Sequence, residues 1–236
     1  MNLAIDIGNT SIKAGLFEGD ELILLERFAN LDQLKAFVIQ KGSLPTAICS
    51  VKYSFDQLID AIPKLQNAIF LTCKTETPLN IDYKTPQTLG MDRLAAAIGG
   101  YELYKGKRAL IIDLGTCITY DLLEEATYKG GVIAPGLKMR FKAMNEFTAN
   151  LPLVEVFETE EIIGKSTIES MNSGVLNGIV GEIEHYISQL LLKNADLEVI
   201  ITGGDAHLFE SKIKSDIFVA PEIVLLGLNG VLKKNA

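Results

Sequence analysis

Apolar and polar positions change period abruptly along this chain, and the changes outline its elements. Leu3-Ala4-Ile5 runs into Asp6-Ile7-Gly8-Asn9-Thr10, an alternating stretch covers 11–17, and Gly19-Asp20 breaks it before another stretch over 21–28. A period of two, punctuated by glycine and acidic residues, predicts strand, turn, strand, turn, strand. Near residue 113 the order returns. Leu110-Ile111-Ile112 enters Asp113-Leu114-Gly115-Thr116, an alternating run covers 118–123, and Lys129-Gly130-Gly131-Val132-Ile133 follows. The same sequence of strand, acidic glycine turn and hairpin therefore occurs twice, about half a chain apart, as a repeat of pattern rather than of identity.

Between and after these blocks, strands alternate with helices. Helical spacing covers 31–41, 55–65 with a break near Pro63, 138–147 and 167–192, while short apolar runs at 46–51, 68–72 and 197–202 predict strands. Gly203-Gly204 opens a turn into a further helix, and Pro221 is placed to start the last one in its first turn. The apolar run Leu94-Ala95-Ala96-Ala97-Ile98 puts Asp92 and Arg93 at a helix start. Alternation of this kind predicts an α/β fold with a boundary between residues 84 and 107, giving domains 1–95 and 96–236.

Composition excludes more than it assigns. With 236 residues, 48% hydrophobic and 22% charged, the chain can bury a sizeable core. No apolar run reaches the roughly 18 residues of a membrane span, and the N-terminus lacks the basic segment of a signal peptide, so a cytoplasmic location without membrane association is expected. A net charge of −8 argues against nucleic acid as a partner. It leaves nucleotide binding open, because phosphates are held locally by backbone N–H groups and a cation. Cys49, Cys73 and Cys117 have no C-x-x-C spacing and read as buried free thiols, and two histidines are too few for a histidine-rich zinc site.

The acidic turns have a chemical use. Glycine brings backbone N–H groups close to a phosphate, Asn9, Thr10 and Thr116 add side-chain hydrogen bonds, and Lys13 supplies a point charge. Asp6 cannot face a phosphate directly, which implies a cation between them. One such turn is ordinary hairpin chemistry; two in matching context point to a nucleotide. The third turn, Thr202-Gly203-Gly204-Asp205, suits the adenosine side, although strand-to-helix turns also take glycine for geometry alone. Asp92 at a helix start is either dipole chemistry or a general base, and Arg93 is either a surface charge or an anchor for an anionic substrate group.

Asp6-x-Gly-Asn-Thr-x-x-Lys13, Gly90-x-Asp92-Arg93, Asp113-x-Gly-Thr116, Gly130-Gly131-x-Ile-x-Pro135-Gly136, Ser166-Thr167 with Met171-Asn172-Ser173-Gly174, and Thr202-Gly203-Gly204 occur in the order seen in type III pantothenate kinases. The chain resembles that family over nearly its whole length, most specifically through Gly90-x-Asp92-Arg93 with Gly130-Gly131. The resemblance implies a duplicated ribonuclease-H-like, actin/hexokinase-like fold with the active site in the cleft between two similar domains. It implies transfer of the ATP γ-phosphoryl group to the primary hydroxyl of pantothenate, the first step of coenzyme A synthesis. By the same resemblance, Asp6, Gly8, Asn9, Thr10 and Lys13 form the first phosphate loop, with Asp6 toward Mg-ATP. Thr116, Gly203 and Gly204 contact ATP. Asp113 binds a monovalent cation, K⁺ or NH₄⁺, and Mg²⁺ accompanies ATP. Asp92 is the base, while Tyr83, Gly90, Met91, Asp92, Arg93 and Thr167 meet pantothenate. A homodimer is implied as well.

Two positions depart from the family pattern. Met91 stands where alanine is common, and Cys117 follows Thr116 where a small residue is common. Neither removes a matched chemical group. A kinase of the same fold acting on a sugar or another small alcohol, and a non-catalytic regulatory relative, are the alternatives.

Overall fold

Alternation along the N-terminal segment produces the predicted hairpins: β1 (Asn2–Ile7), β2 (Ile12–Glu18) and β3 (Glu21–Phe28), followed by α1 (Leu31–Lys41) and β4 (Thr46–Ser50). The computed structural model describes residues 1–157 and 161–236. By compactness the chain falls into two units. The first comprises Met1–Ala109, Asp121–Gly130 and Glu222–Ala236, the second Leu110–Tyr120 and Gly131–Pro221.

In the first unit a five-stranded sheet has the order β3-β2-β1-β4-β5, with β5 at Ile69–Phe70. β1 pairs antiparallel with β2 and parallel with β4, so Asp6 lies opposite Lys13 on one side and Cys49 on the other. Leu3, Ile5 and Ile7 point to one face and pack with Leu34, Ile48 and Leu58. Local chemistry fixes the helix starts. Asn30 caps α1 by accepting from Gln33 N, and Ser54 with Gln57 forms a capping box on α2 (Phe55–Ala61). The predicted helix over 55–65 breaks where Pro63 begins a separate 3₁₀ turn, because proline cannot donate within a helix.

α3 (Met91–Leu103) is buried all along residues 93–100, as its unbroken apolar run dictates. It packs against the last helix, α6 (Ile223–Lys234), backbone to backbone. A Cβ on Gly227 would lie 1.8 Å from Ala95 O, and one on Gly99 would lie 2.1 Å from Ile223 O. Glycine at both positions is therefore a packing requirement.

The second sheet has the strand order β11-β10-β7-β8-β9-β6. Its members are β6 (Asn80–Ile81), β7 (Ala109–Leu114), β8 (Cys117–Glu124), β9 (Thr127–Pro135), β10 (Glu198–Thr202) and β11 (Phe218–Val219). In the second unit, α4 (Leu137–Phe147) and the 27-residue α5 (Thr167–Lys193) pack around Leu110, Ile112, Ile118 and Tyr120. On α5, Met171, Val175, Ile179, Ile183 and Ile187 recur every fourth residue and are buried, so this stripe serves the protein's own core. The helix predicted after Gly204 is absent. Two 3₁₀ turns, Ala206–Leu208 and Glu210–Lys212, occupy the segment. Glu184 on α5 receives the backbone N–H groups of Lys214 and Ser215 just beyond them, and so fixes the chain's course where a regular helix would have continued.

Candidate active site

β1 ends in a closed turn in the first unit, Gly8 N donating to Ser11 O at 3.0 Å, with Asn9 and Thr10 exposed at its tip. Gly8 is not required by backbone strain or by crowding within the chain: a Cβ there would meet only Ser11 O, at 3.4 Å. Lys13 Nζ donates to Glu222 Oε2 at 3.1 Å, and Arg27 Nη2 reaches the other carboxylate oxygen at 2.7 Å. Lys13 is thus already shared with a carboxylate. Val51 N donates to Ile7 O at 3.1 Å, which places the end of β4 beside the same turn.

Asp92 is half-buried in the first turn of α3, and its Oδ1 accepts from Arg93 N at 2.9 Å. Gly90 makes this possible, since a Cβ there would lie 2.6 Å from Asp92 Oδ1. Asp6 and Asp92 belong to one neighbourhood. Burial pushes the Cys49 thiol well above its ordinary pKa, and the carboxylates of both aspartates push it further. The first loop and the proposed base thus flank the same buried thiol at the ends of β1 and β4.

Arg93 is not the surface charge that its position also allowed; it is 6% exposed. Its Nε and Nη2 donate to Asp121 Oδ1 at 3.0 and 2.6 Å, and the Tyr128 hydroxyl donates to the same oxygen at 2.8 Å. Burial works against the Arg93 charge, but Asp121 together with Tyr128 and Tyr83 outweighs it and holds the guanidinium pKa above its ordinary value. Tyr83 also bonds to Arg93, and its ring lies 6.0 Å from that of Tyr128. The pairing of β6 with β9 brings Tyr83 over Gly130, where a Cβ would lie 3.4 Å from the ring and where φ is +94°. Tyr83, Gly90, Asp92 and Arg93 therefore converge, and half-buried Met91 opens the helix beside them.

In the second unit the other two glycine turns converge. Gly115 N donates to Cys117 O at 3.1 Å, closing a tighter turn than that of β1 and leaving Thr116 exposed. A Cβ on Gly136 would lie 2.4 Å from both Gly115 O and Thr116 O, so the start of α4 rests on this turn. Gly203, at φ +97°, lies against Asp113, whose Oδ1 would be 2.5 Å from a Cβ there. Gly204 is exposed beyond it. Thr167 is also in this unit, exposed at the start of α5 behind Ser166, which caps the helix by accepting from Glu169 N. It borders an open groove with Met144, Leu151 and Met171.

Sequence reasoning did not find Asp121, Tyr128 or Glu222. Asp121 left one trace, a charged residue inside the apolar run of β8; nothing marked Arg93 as its partner. Glu222 was hidden by the proline signal at Pro221, which suggested only a helix start. Among the described residues, no cluster of three or more His, Cys, Asp or Glu could hold a metal by itself, and no helix is long and apolar enough to cross a membrane.

Comparison with known proteins shows the family and the fold. The family model described as Type III pantothenate kinase matches residues 2–189. A type III pantothenate kinase of Cytophaga hutchinsonii is 42% identical over 236 residues, covering 100% of both chains. Two solved structures show the fold. One, described as a Baf family transcriptional activator from Campylobacter jejuni, has a TM-score of 0.64 at 23% identity and covers 99% of this chain and 98% of its own. The other, component A of (R)-2-hydroxyglutaryl-CoA dehydratase from Acidaminococcus fermentans, has a TM-score of 0.53 at 12% identity, covering 100% and 99%. The mixed α/β architecture with two sheets is the duplicated ribonuclease-H-like arrangement of the actin/hexokinase-like ATPases.

Proposed function

The chain belongs to the type III pantothenate kinase family, and from that premise we propose that it transfers the γ-phosphoryl group of ATP to the primary hydroxyl of pantothenate, giving 4′-phosphopantothenate for coenzyme A synthesis. The observation that carries the site assignment is the common neighbourhood of Asp6 and Asp92 around Cys49. It supports a base acting beside the first phosphate loop.

Asp92 takes the proton from the pantothenate hydroxyl as the phosphoryl group moves, a contribution of about 10²–10⁴-fold. Tyr83, Gly90, Met91 and Arg93 form the acceptor side, and Arg93 meets the pantothenate carboxylate. Because Asp121 occupies two of its donors, Arg93 acts as an oriented hydrogen-bonding edge rather than as a bare charge. Thr167 is assigned to pantothenate as well.

Gly8, Asn9, Thr10 and Lys13 hold phosphate oxygens, Asp6 faces them only across the cation that accompanies ATP, and Thr116, Gly203 and Gly204 complete the ATP contacts. The unexplained glycine at position 8 supports this, because a ligand rather than the chain itself profits from the missing Cβ. Phosphoryl transfer depends on positioning and electrostatics, so no covalent nucleophile is needed. Mg²⁺ bound with ATP needs only one or two carboxylates besides phosphate oxygens, and Asp6 fits that requirement. Asp113, beside the space left by Gly203, fits a monovalent cation, K⁺ or NH₄⁺. When bound, these ions neutralise phosphate charge.

The duplication divides the chain near residue 95, into 1–95 with the first loop and 96–236 with the second. The protein acts in the cytoplasm as a homodimer, without nucleic acid or membrane as a partner. Exposed Phe147, Ile162 and Ile163 support the homodimer, and the net charge of −8 disfavours nucleic acid. ATP-dependent turnover with pantothenate tests the reaction, and loss of that turnover in Asp92→Asn tests the base.

A further inference from the structure

The turn after β10 carries a carboxylate that these roles leave unused. Asp205 occupies the capping position before the 3₁₀ turn Ala206–Leu208, yet its side chain makes no capping hydrogen bond. An aspartate there ordinarily folds back to accept from the backbone of the turn it starts. Here the backbone is fixed from elsewhere. Asp205 N donates to Leu114 O at 3.0 Å, and a Cβ on Gly203 would lie 2.5 Å from Asp113 Oδ1 and from the Leu114 backbone. His207 Nδ1 lies 3.0 Å from Gly204 O on the other side of the turn. The turn is therefore held without using the carboxylate.

Its surroundings narrow what the carboxylate can do. Asp205 is half-buried, and burial raises its pKa above the ordinary value while the charges of Lys138 and His207 oppose that rise. Lys138 belongs to the first turn of α4, whose Gly136 N donates to Thr116 O at 3.2 Å. Asp205 thus sits where the second loop, the start of α4 and the third glycine turn meet. An ionised carboxylate only accepts hydrogen bonds. Phosphates repel it and adenine offers a single amino group, but the ribose diol presents two adjacent donors that match two carboxylate oxygens.

We propose that Asp205 is the residue that recognises the nucleotide's ribose, accepting hydrogen bonds from its 2′- and 3′-hydroxyls. This rests on the reading of Gly203-Gly204 as the nucleoside side of the ATP site, and makes Asp205 a determinant of ribonucleotide over deoxyribonucleotide. The test compares KM for ATP, 2′-deoxy-ATP and ITP in the wild type, Asp205→Asn and Asp205→Ala. Calorimetric titration with ADP and 2′-deoxy-ADP adds a readout independent of the acceptor.

The wild type should favour the ribonucleotide by about ten- to a hundredfold, the scale of one hydrogen bond to a charged group, and Asp205→Ala should favour neither by more than about twofold. Asp205→Asn, which keeps one acceptor oxygen, should fall between them, and KM for pantothenate should not move. No ribose preference in the wild type, or an undiminished one in Asp205→Ala, overturns the proposal. So does loss of preference for ATP over ITP with the ribose preference intact, since that assigns the carboxylate to the base. A protein that binds ADP with the expected ribose preference but leaves pantothenate unphosphorylated keeps the proposal and removes the acceptor assignment.

Discussion

Arg93 and Asp121, 28 residues apart in the chain, form a buried ion pair in which Nε and Nη2 of the guanidinium both reach one carboxylate oxygen, at 3.0 and 2.6 Å. Asp121 is 1% exposed, and the Tyr128 hydroxyl supplies a third donor to that oxygen. Desolvating two charges is costly, and removing one partner leaves the other buried and unpaired. Asp121→Ala should lower the unfolding free energy by about 3–5 kcal/mol, whereas Tyr128→Phe, which removes a single hydroxyl bond, should lower it by about 1 kcal/mol. Chemical denaturation of the two variants checks this. Equal, small losses would mean that the pair does not hold α3 in place.

Gly90 exists for the sake of Asp92. With a Cβ only 2.6 Å from Asp92 Oδ1, Gly90→Ala must move the carboxylate while leaving the rest of α3 intact. Its kcat should fall at least about tenfold, and that of Asp92→Asn by about 10²–10⁴-fold, with ATP affinity preserved in both. Steady-state kinetics with direct ATP titration separates these effects. Near-wild-type kcat in Asp92→Asn would remove Asp92 as the base.

Cys49 makes stability depend on pH in a defined direction. Burial of its thiol, with the charges of Asp6 and Asp92, raises its native pKa above that of the unfolded chain. The native state keeps this proton longer, and unfolding is therefore favoured as pH rises. Stability should be unaffected by this group below about pH 8.5, the unfolded thiol value, and should decline as pH climbs from there toward the raised native value. The decline should be smaller in Cys49→Ala. Thiol labelling at pH 8 followed by mass spectrometry should modify half-buried Cys73 and Cys117 well before Cys49. Rapid labelling of Cys49 in the folded protein would contradict the burial argument.

Much of this fold was legible because its signals are local. Both acidic turns follow a strand in period-two sequence, and Asn30, Ser54 and Ser166 are capping residues at the starts of helices that form as expected. Asp92 and Arg93 were correctly placed at the start of a helix by the apolar run that follows them. What was not legible depends on long-range geometry. The Arg93–Asp121 pair and the Lys13–Glu222 pair join residues 28 and 209 positions apart, and no spacing rule links them. The segment after Gly204 kept a helical composition but became two 3₁₀ turns, because tertiary bonds to Leu114 and Glu184 set its path. The two turns in the second unit were each visible, but the contact of Gly203 with Asp113 was not, since a glycine's missing side chain gives no sequence sign of what it admits.

The central claim is that Asp92 and its neighbours present pantothenate to the γ-phosphate of ATP. Its most direct test is ADP release by the purified protein with ATP, Mg²⁺ and pantothenate, in K⁺ and again in Na⁺, with the product identified by mass. The account predicts ADP release that requires pantothenate, a product carrying one added phosphate, and faster turnover in K⁺. ATP binding without turnover on pantothenate, or phosphorylation of sugars in its place, would contradict it.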